Sequence, residues 1–441
     1  MKRLLSLLLC AVLALFCATT AQAAGVSITL TASEYALHYA FDAGAQDPFV
    51  ILEYTTPAEK GWMMLYSADG RFEGDIALAY SGAGGKTSVA LTSARTTGSV
   101  GKASTTLPKA VDYQKPTGKS NAKVMDFVLT ETPEGFHYAF NAAGTDYMLL
   151  YWRSKEQTVT QPVYPDENGH YEGDVISELT FARTQFTVQV KSGSGSMKKE
   201  ATVRKGYQAP EAPQRQEGRL SGVTVCIDAG HQENGRFVNE PIGPGLTGST
   251  SGKGGMAQGT KTNRRESIVC LEIGMLLRDE LLRQGANVIM TREDQTTFHT
   301  NIERCEIAEA GGAQIMLRLH CNNSSNHSKR GIQVYGPLNS DYAKAVADAD
   351  TYREMGQKLL DAMKTRVGMT LANSTGMVRL NDNYVGNNWA KMMCFLVEMG
   401  YLSNPAEEYL LVTPVYQQWL AEGMADGVYE IAVARGWVQA Q

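Results

Sequence analysis

The chain has 441 residues, of which 43% are hydrophobic and 20% charged, and its formal charge is −5. That length exceeds one ordinary domain, and the composition is that of soluble globular domains. A mildly acidic balance with no long single-sign run excludes the electrostatic footprint of a nucleic-acid binder and a polybasic membrane patch.

Lys2 and Arg3 precede an apolar run over 4–18, and Ala21-Gln22-Ala23 supplies a small-x-small pattern. Residues 1–23 are therefore expected to be an export signal cleaved after Ala23. The run falls short of the ~20 apolar residues a membrane span needs. Cleavage leaves a charge of −7, no further segment fit to cross a bilayer, and Cys226, Cys270, Cys305, Cys321 and Cys394. An odd set with no CxxC spacing is no disulfide framework, and buried free thiols are expected.

The first half repeats itself. His38-Tyr39-Ala40-Phe41-Asp42-Ala43 returns as His137-Tyr138-Ala139-Phe140-Asn141-Ala142, and Glu73-Gly74-Asp75 returns as Glu172-Gly173-Asp174. Both pairs share an offset of 99 residues, which argues for duplicated modules over 24–108 and 120–205. Short runs such as PFVILEY (48–54), SVALT (88–92), YMLLYW (147–152) and FTVQV (186–190) read as strands, with turns at Ser67-Ala68-Asp69-Gly70 and Glu167-Asn168-Gly169. Two all-β, immunoglobulin-like sandwiches are expected. Tyr39, Trp62, Tyr138 and Trp152 offer a sugar-stacking platform, with core packing as the alternative. His38 and His137 lack evident metal partners, which favours a structural role.

The Pro- and Gln-rich stretch 206–219 reads as a semi-extended linker. After it the rhythm changes. GVTVCID (222–228), ANVIMT (286–291) and AQIMLRL (313–319) are strand-like, whereas 267–285 and 301–312 are helical, the first with Thr262 or Asn263 as its cap. Strands alternating with helices imply an α/β domain over 220–441, with a mostly parallel sheet flanked by helices.

Polar residues with metal chemistry fall at the ends of these elements, where such folds place their sites. His231 follows the first strand, Glu266 opens the long helix, His320 ends a later strand, and Glu398 sits in CFLVEMGY (394–401). Two imidazoles and a carboxylate are a catalytic zinc set with a position left for water, and Glu398 would be the base. Arg318 shares a strand face with His320 and can meet an anion or form a structural ion pair. Arg318 and Asn322 are the candidate substrate contacts. His299 and His327 are expected to face solvent.

Four stretches and one acidic residue resemble the zinc amidases that remove peptides from muramic acid, the family called amidase type 3. They are Ile227-Asp228-Ala229-Gly230-His231, then Glu266, then Met290-Thr291-Arg292 with Asn301-Ile302-Glu303-Arg304. Leu319-His320-Cys321-Asn322 and Val397-Glu398-Met399-Gly400-Tyr401-Leu402-Ser403-Asn404-Pro405 follow. The likeness covers roughly 220–437 and leaves the repeats untouched. It implies a Zn2+ held by His231, Glu266 and His320, with Glu398 as proton carrier. The implied reaction cuts the amide between the lactyl group of muramic acid and L-alanine in peptidoglycan. A secreted, wall-associated enzyme is expected, or a periplasmic one if the producer has an outer membrane. Ala229 departs from the family's usual proline. The glycine-rich loop 232–265 is long and carries two more acids, Glu233 and Glu240; it reads as a lid, a clamp or a plain insertion. The competing readings are a zinc peptidase or deacetylase of wall material, a non-catalytic wall-binding protein, and a metal-free glycosidase with two facing carboxylates.

Overall fold

The computed structural model describes residues 18–22, 26–45, 47–78, 81–94, 98–111, 123–132, 135–143, 147–153, 158–176, 185–191, 197–204, 210–232, 238–250, 255–260, 262, 264–368 and 377–440. The chain forms two compact units, Met1–Lys205 and Gly206–Gln441. Residues 1–17, with the apolar run of the expected signal, lie outside the described residues; Ala18–Gln22 is a strand. Among the described residues, no helix is long and apolar enough to cross a membrane.

The first unit is all β. Its strands are β1 (Ala18–Gln22), β2 (Ser27–Ser33), β3 (Ala36–Asp42), β4 (Phe49–Thr55), β5 (Glu59–Tyr66), β6 (Arg71–Ala77), β7 (Gly85–Ser93), β8 (Ser99–Leu107), β9 (Val124–Thr132), β10 (Gly135–Ala142), β11 (Met148–Arg153), β12 (Thr158–Val163), β13 (His170–Ile176), β14 (Gln185–Lys191) and β15 (Met197–Arg204). One sheet runs β1-β2-β3-β6, another β13-β10-β9, and a third β15-β14-β11-β12-β5-β4-β7-β8. Each repeat keeps a core of its own. Leu30, Leu37, Leu52 and Val89 lie in the first, and Phe136, Phe140, Trp152 and Val188 in the second. The repeats are nonetheless joined edge to edge, because Thr158 and Val159 of β12 pair with Lys60 and Glu59 of β5.

The repeated motifs are two halves of one cross-strand unit. In the first repeat His38 faces Asp75 and Tyr39 faces Gly74; in the second His137 faces Asp174 and Tyr138 faces Gly173. Each tyrosine lies over its glycine, and a Cβ on Gly74 or Gly173 would stand 2.7 Å from the phenol oxygen. Nδ1 of His38 lies 3.0 Å from Asp75 and Nε2 3.6 Å from Glu73; His137 repeats this with Asp174 at 2.9 Å and Glu172 at 3.2 Å. The histidines thus have the acidic partners that were not evident in sequence, supplied by the second motif. Each ring bridges two carboxylates instead of gathering them around a point. The stacking platform is overturned: Tyr39, Trp62, Tyr138 and Trp152 are all 8% exposed or less. They occupy inward positions of alternating strands, so their ring faces serve the cores.

The second unit is built from β16 (Thr224–Ala229), α1 (Glu266–Arg283), β17 (Asn287–Met290), α2 (Asn301–Ala310), β18 (Ile315–Asn322), β19 (Gln333–Gly336), α3 (Asp341–Val346), α4 (Ala349–Val367), β20 (Met377–Leu380), α5 (Val385–Trp389), β21 (Met393–Tyr401), α6 (Glu407–Leu411) and α7 (Pro414–Ala434). The sheet order is β17-β16-β18-β21-β19-β20, with every neighbouring pair parallel except β19 and β21. Helices cover both faces. Gly274 of α1 packs on Ile227, Ala229 and Leu319, while Cys305 and Ala308 of α2 join Cys226, Met316 and Cys394 on the other face. Burial on both sides explains the nearly unbroken apolar runs of β16, β18 and β21. The five cysteines among the described residues are all buried and free.

Two details differ from expectation. Helix α1 begins after Arg265, whose side chain makes no capping bond; Thr262 turns instead to Glu408, and Asn263 lies outside the described residues. The described part of the proline-rich stretch, 210–219, is held along α1. Gln216 N–H donates to Leu282, Arg215 to Gly285, and Arg278 to the Pro210 carbonyl.

Candidate metal centre

β16 and β18 run parallel with Ala229 beside Leu319, so the residues that follow them emerge together at one edge of the sheet. His231 leaves β16 in a left-handed conformation (φ 58°), which is uncommon for a side-chain-bearing residue. That turn brings its imidazole back towards β18. Gly230 makes room for the approach, since a Cβ there would stand 2.6 Å from Cε1 and 2.7 Å from Nε2 of His320. The two rings meet at 4.8 Å between centroids, inclined at 78°.

Glu266 enters from the first turn of α1. Its Oε1 is 3.1 Å from His231 Nε2 and 2.9 Å from His320 Nδ1, and it also accepts the Cys321 N–H. Its Oε2 accepts the Ala257 N–H at 2.7 Å, so the loop before α1 fixes the carboxylate. One donor atom from each of the three residues lies within 4.8 Å of the others, a grouping able to hold a metal ion. Burial opposes ionisation of Glu266, yet its bonds to the two imidazoles hold the carboxyl well below its ordinary range. Burial also lowers His320, against the pull of Glu266. An ionised carboxylate and a neutral imidazole are the forms a metal requires.

Glu398 on β21 is paired in register with His320 on β18 and lines the same cavity, which has a volume of about 770 Å³. Its Oε2 is buried and, among the described residues, has no hydrogen-bond partner. Burial first, and the charge of Glu266 second, push its carboxyl well above the usual value. Of the competing acids, Glu240 lines the same cavity but does not belong to the His231–Glu266–His320 group. It accepts N–H groups of Asn301 and Ile302 at the start of α2. Glu233 lies outside the described residues.

Beneath this centre is an ion cluster that the apolar strands conceal. Asp228 is fully buried and accepts from Thr291 Oγ1 at 2.8 Å, from Arg318 Nε at 2.9 Å and from Arg304 Nη1. Burial alone would raise its carboxyl, but the two guanidiniums hold it far below the usual range. Arg292, also buried, donates to the carbonyls of Ala229, Gly230, Ser267 and Asp294. Arg318 therefore forms the structural ion pair and also lines the cavity. Asn322 lines it too and donates to Gln333. His299 is half-buried at the cavity wall, whereas His327 is exposed. Sequence reading missed Tyr384, a cavity residue whose ring tilts against Tyr335 at 5.1 Å. It carries no motif; only its place before α5 brings it there.

Residues 225–430 match the family model described as N-acetylmuramoyl-L-alanine amidase. The chain is 26% identical over 231 residues to the germination-specific N-acetylmuramoyl-L-alanine amidase of Bacillus subtilis, covering 49% of this chain and 83% of that protein. It is 27% identical over 218 residues to the probable cell wall amidase LytH of Staphylococcus aureus, covering 48% of this chain and 60% of that one. Among solved structures, an N-acetylmuramoyl-L-alanine amidase from Clostridium difficile 630 aligns with a TM-score of 0.38 at 24% identity, covering 48% of this chain and 96% of that one. Ami1 from Mycobacterium smegmatis gives 0.44 at 17%, covering 49% and 100%.

Proposed function

The C-terminal domain belongs to the N-acetylmuramoyl-L-alanine amidase family of type 3, and on that premise we propose that this chain cuts peptide from glycan in peptidoglycan. The bond broken is the amide between the lactyl carbonyl of N-acetylmuramic acid and the nitrogen of L-alanine. The observation that carries this reading is the convergence of His231, Glu266 and His320 in one cavity with Glu398.

Those three residues would hold a zinc ion through Nε2, Oε1 and Nδ1 respectively; two nitrogens and one carboxylate oxygen are a donor set that suits it. Zinc bound there supplies Lewis acidity, which acidifies water and polarises a carbonyl. The chain's own contribution centres on Glu398. In its ionised form, the unpartnered Oε2 takes a proton from the attacking water, and the oxygen adds to the lactyl carbon. As the C–N bond breaks, Oε2 returns that proton to the departing nitrogen of L-alanine. Ala257 and Cys321 hold Glu266 still throughout, through their backbone N–H groups.

The remaining parts fit an exported wall enzyme. Residues 1–23 act as the cleaved leader, and the product works at the wall, or in the periplasm where an outer membrane exists. The repeats are read as immunoglobulin-like sandwiches, a reading supported by the seven described strands of each, β2–β8 once β1 leaves with the leader and β9–β15, split between two sheets.

Product analysis tests the reaction. Purified peptidoglycan treated with the protein should gain L-alanine amino termini while its glycan strands keep their length. New amino groups on sugars would indicate a deacetylase, cleavage within the stem a peptidase, and shortened strands a glycosidase; any of these in place of L-alanine termini overturns the assignment.

A further inference from the structure

The cavity does not stop at the metal ligands. It extends down β18 to Arg318, two residues before His320 and on the same strand face. The Arg318 side chain is only 4% exposed. Nε donates to Asp228 at 2.9 Å and Nη2 donates to Asn301 Oδ1 at 2.7 Å. Among the described residues, its third nitrogen, Nη1, has no acceptor. The backbone of Gly386 lies so close to the guanidinium that any side chain there would strike it, which fixes the plane of the group.

The surrounding charges do not satisfy that nitrogen. Asp228 is shared between Arg304 and Arg318, and Arg292 is surrounded by neutral carbonyls, so the layer under the cavity carries surplus positive charge. Glu240, on the same wall, is committed to the N–H groups at the start of α2. Glu266 is committed to the two imidazoles and two backbone N–H groups. A guanidinium N–H without an acceptor, on a residue that lines a cavity and whose counter-charge is already shared, is a site for an anion.

We propose that Arg318 Nη1 receives the carboxylate of the second residue of the stem peptide, making the enzyme selective for stems that carry a free carboxylate at that residue over those that carry a carboxamide. This rests on the amidase reading and adds a specificity site to it. The spacing agrees. Two residues of strand separate Arg318 from His320 by about 7 Å. In an extended peptide, two residues past the scissile carbonyl also span about 7 Å. A carboxamide oxygen can accept the same N–H, but without charge, and so more weakly.

The test uses the full-length protein and two muramoyl tripeptides in which the γ-carboxyl is tied up, N-acetylmuramoyl-L-alanyl-γ-D-glutamyl-L-lysine and the same compound with its glutamyl α-carboxyl as a carboxamide. The acid should be cleaved with a kcat/KM about tenfold higher. Calorimetric binding of the two released tripeptides to chelator-treated protein should show a preference in the same direction. In Arg318→Lys, which keeps a positive charge beside Asp228 but loses the forked donor, both preferences should shrink towards one. Equal handling of the two ligands by the unaltered protein, or preference for the carboxamide, overturns the proposal, and this arm stands even if the variant fails to fold. Cleavage of neither substrate would count against the amidase reading, while the binding preference would still decide the carboxylate site.

Discussion

Asp228 shows how much of this site rests on one side chain. Two buried guanidiniums depend on its carboxylate, and its strand neighbour Ala229 leads directly to Gly230 and His231. Replacing one partner of a buried ion cluster leaves the others uncompensated, so Asp228→Asn should cost about 3–5 kcal/mol near neutral pH. The pH dependence has a definite sign. The folded carboxyl ionises far below an unfolded one. Its stabilising contribution is therefore complete above roughly pH 4 and drains away as the pH falls below that. Urea unfolding at several pH values should show the Asn variant weakened at pH 7, with the gap to the parent closing in acid. A gap that stays constant down to pH 3 would contradict the assignment. His231, Glu266, His320 and Glu398, which the structure gathers in one cavity, stand out in the sequence because each interrupts an apolar run or opens a helix. Sequence reading did not recover the cluster beneath them, because Arg304 and Arg318 meet Asp228 only through the register of separate elements. Nor could it find the left-handed turn at His231; nothing in Asp-Ala-Gly-His specifies which residue takes the positive φ.

At the level of elements, the helices and central strands were legible because each carries a single strong periodicity. Their ends were less so. Helix α1 looked capped by Thr262 or Asn263, yet the threonine joins the loop to Glu408 of α6, a contact 146 residues away in sequence. Loop 232–265 posed the related problem of choosing among Glu233, Glu240 and Glu266. In the structure the choice follows from what precedes a helix: Glu266 is itself the first residue of α1, whereas Glu240 reaches the start of a different helix, α2. Negative charge and hydrogen-bond acceptance at a helix start stabilise it. Glu240→Ala should then cost about 1–2 kcal/mol in thermal or denaturant unfolding. The metal content should not change, and KM for peptidoglycan should rise because the loop lines the cavity. Loss of metal in this variant would show that Glu240 takes part in the centre.

Across the whole molecule, duplication was visible as a constant offset, and its cause is now physical. The HYAF and EGD motifs are facing halves of one strand pair, tied by a tyrosine over a glycine and a histidine between two acids. The single eight-stranded sheet joining both repeats left no comparable trace. It depends on a short edge pairing of β5 with β12, and main-chain hydrogen bonds place few demands on side-chain identity. The proposed catalysis, by contrast, involves the second unit alone, where His231, Glu266, His320 and Glu398 line one cavity. Its most direct test is the turnover of purified peptidoglycan by Glu398→Gln whose zinc content has been measured in the same preparation. The variant should carry as much zinc as the parent and release L-alanine termini some 10²- to 10⁴-fold more slowly. Turnover at the parental rate in the zinc-loaded variant would contradict the account.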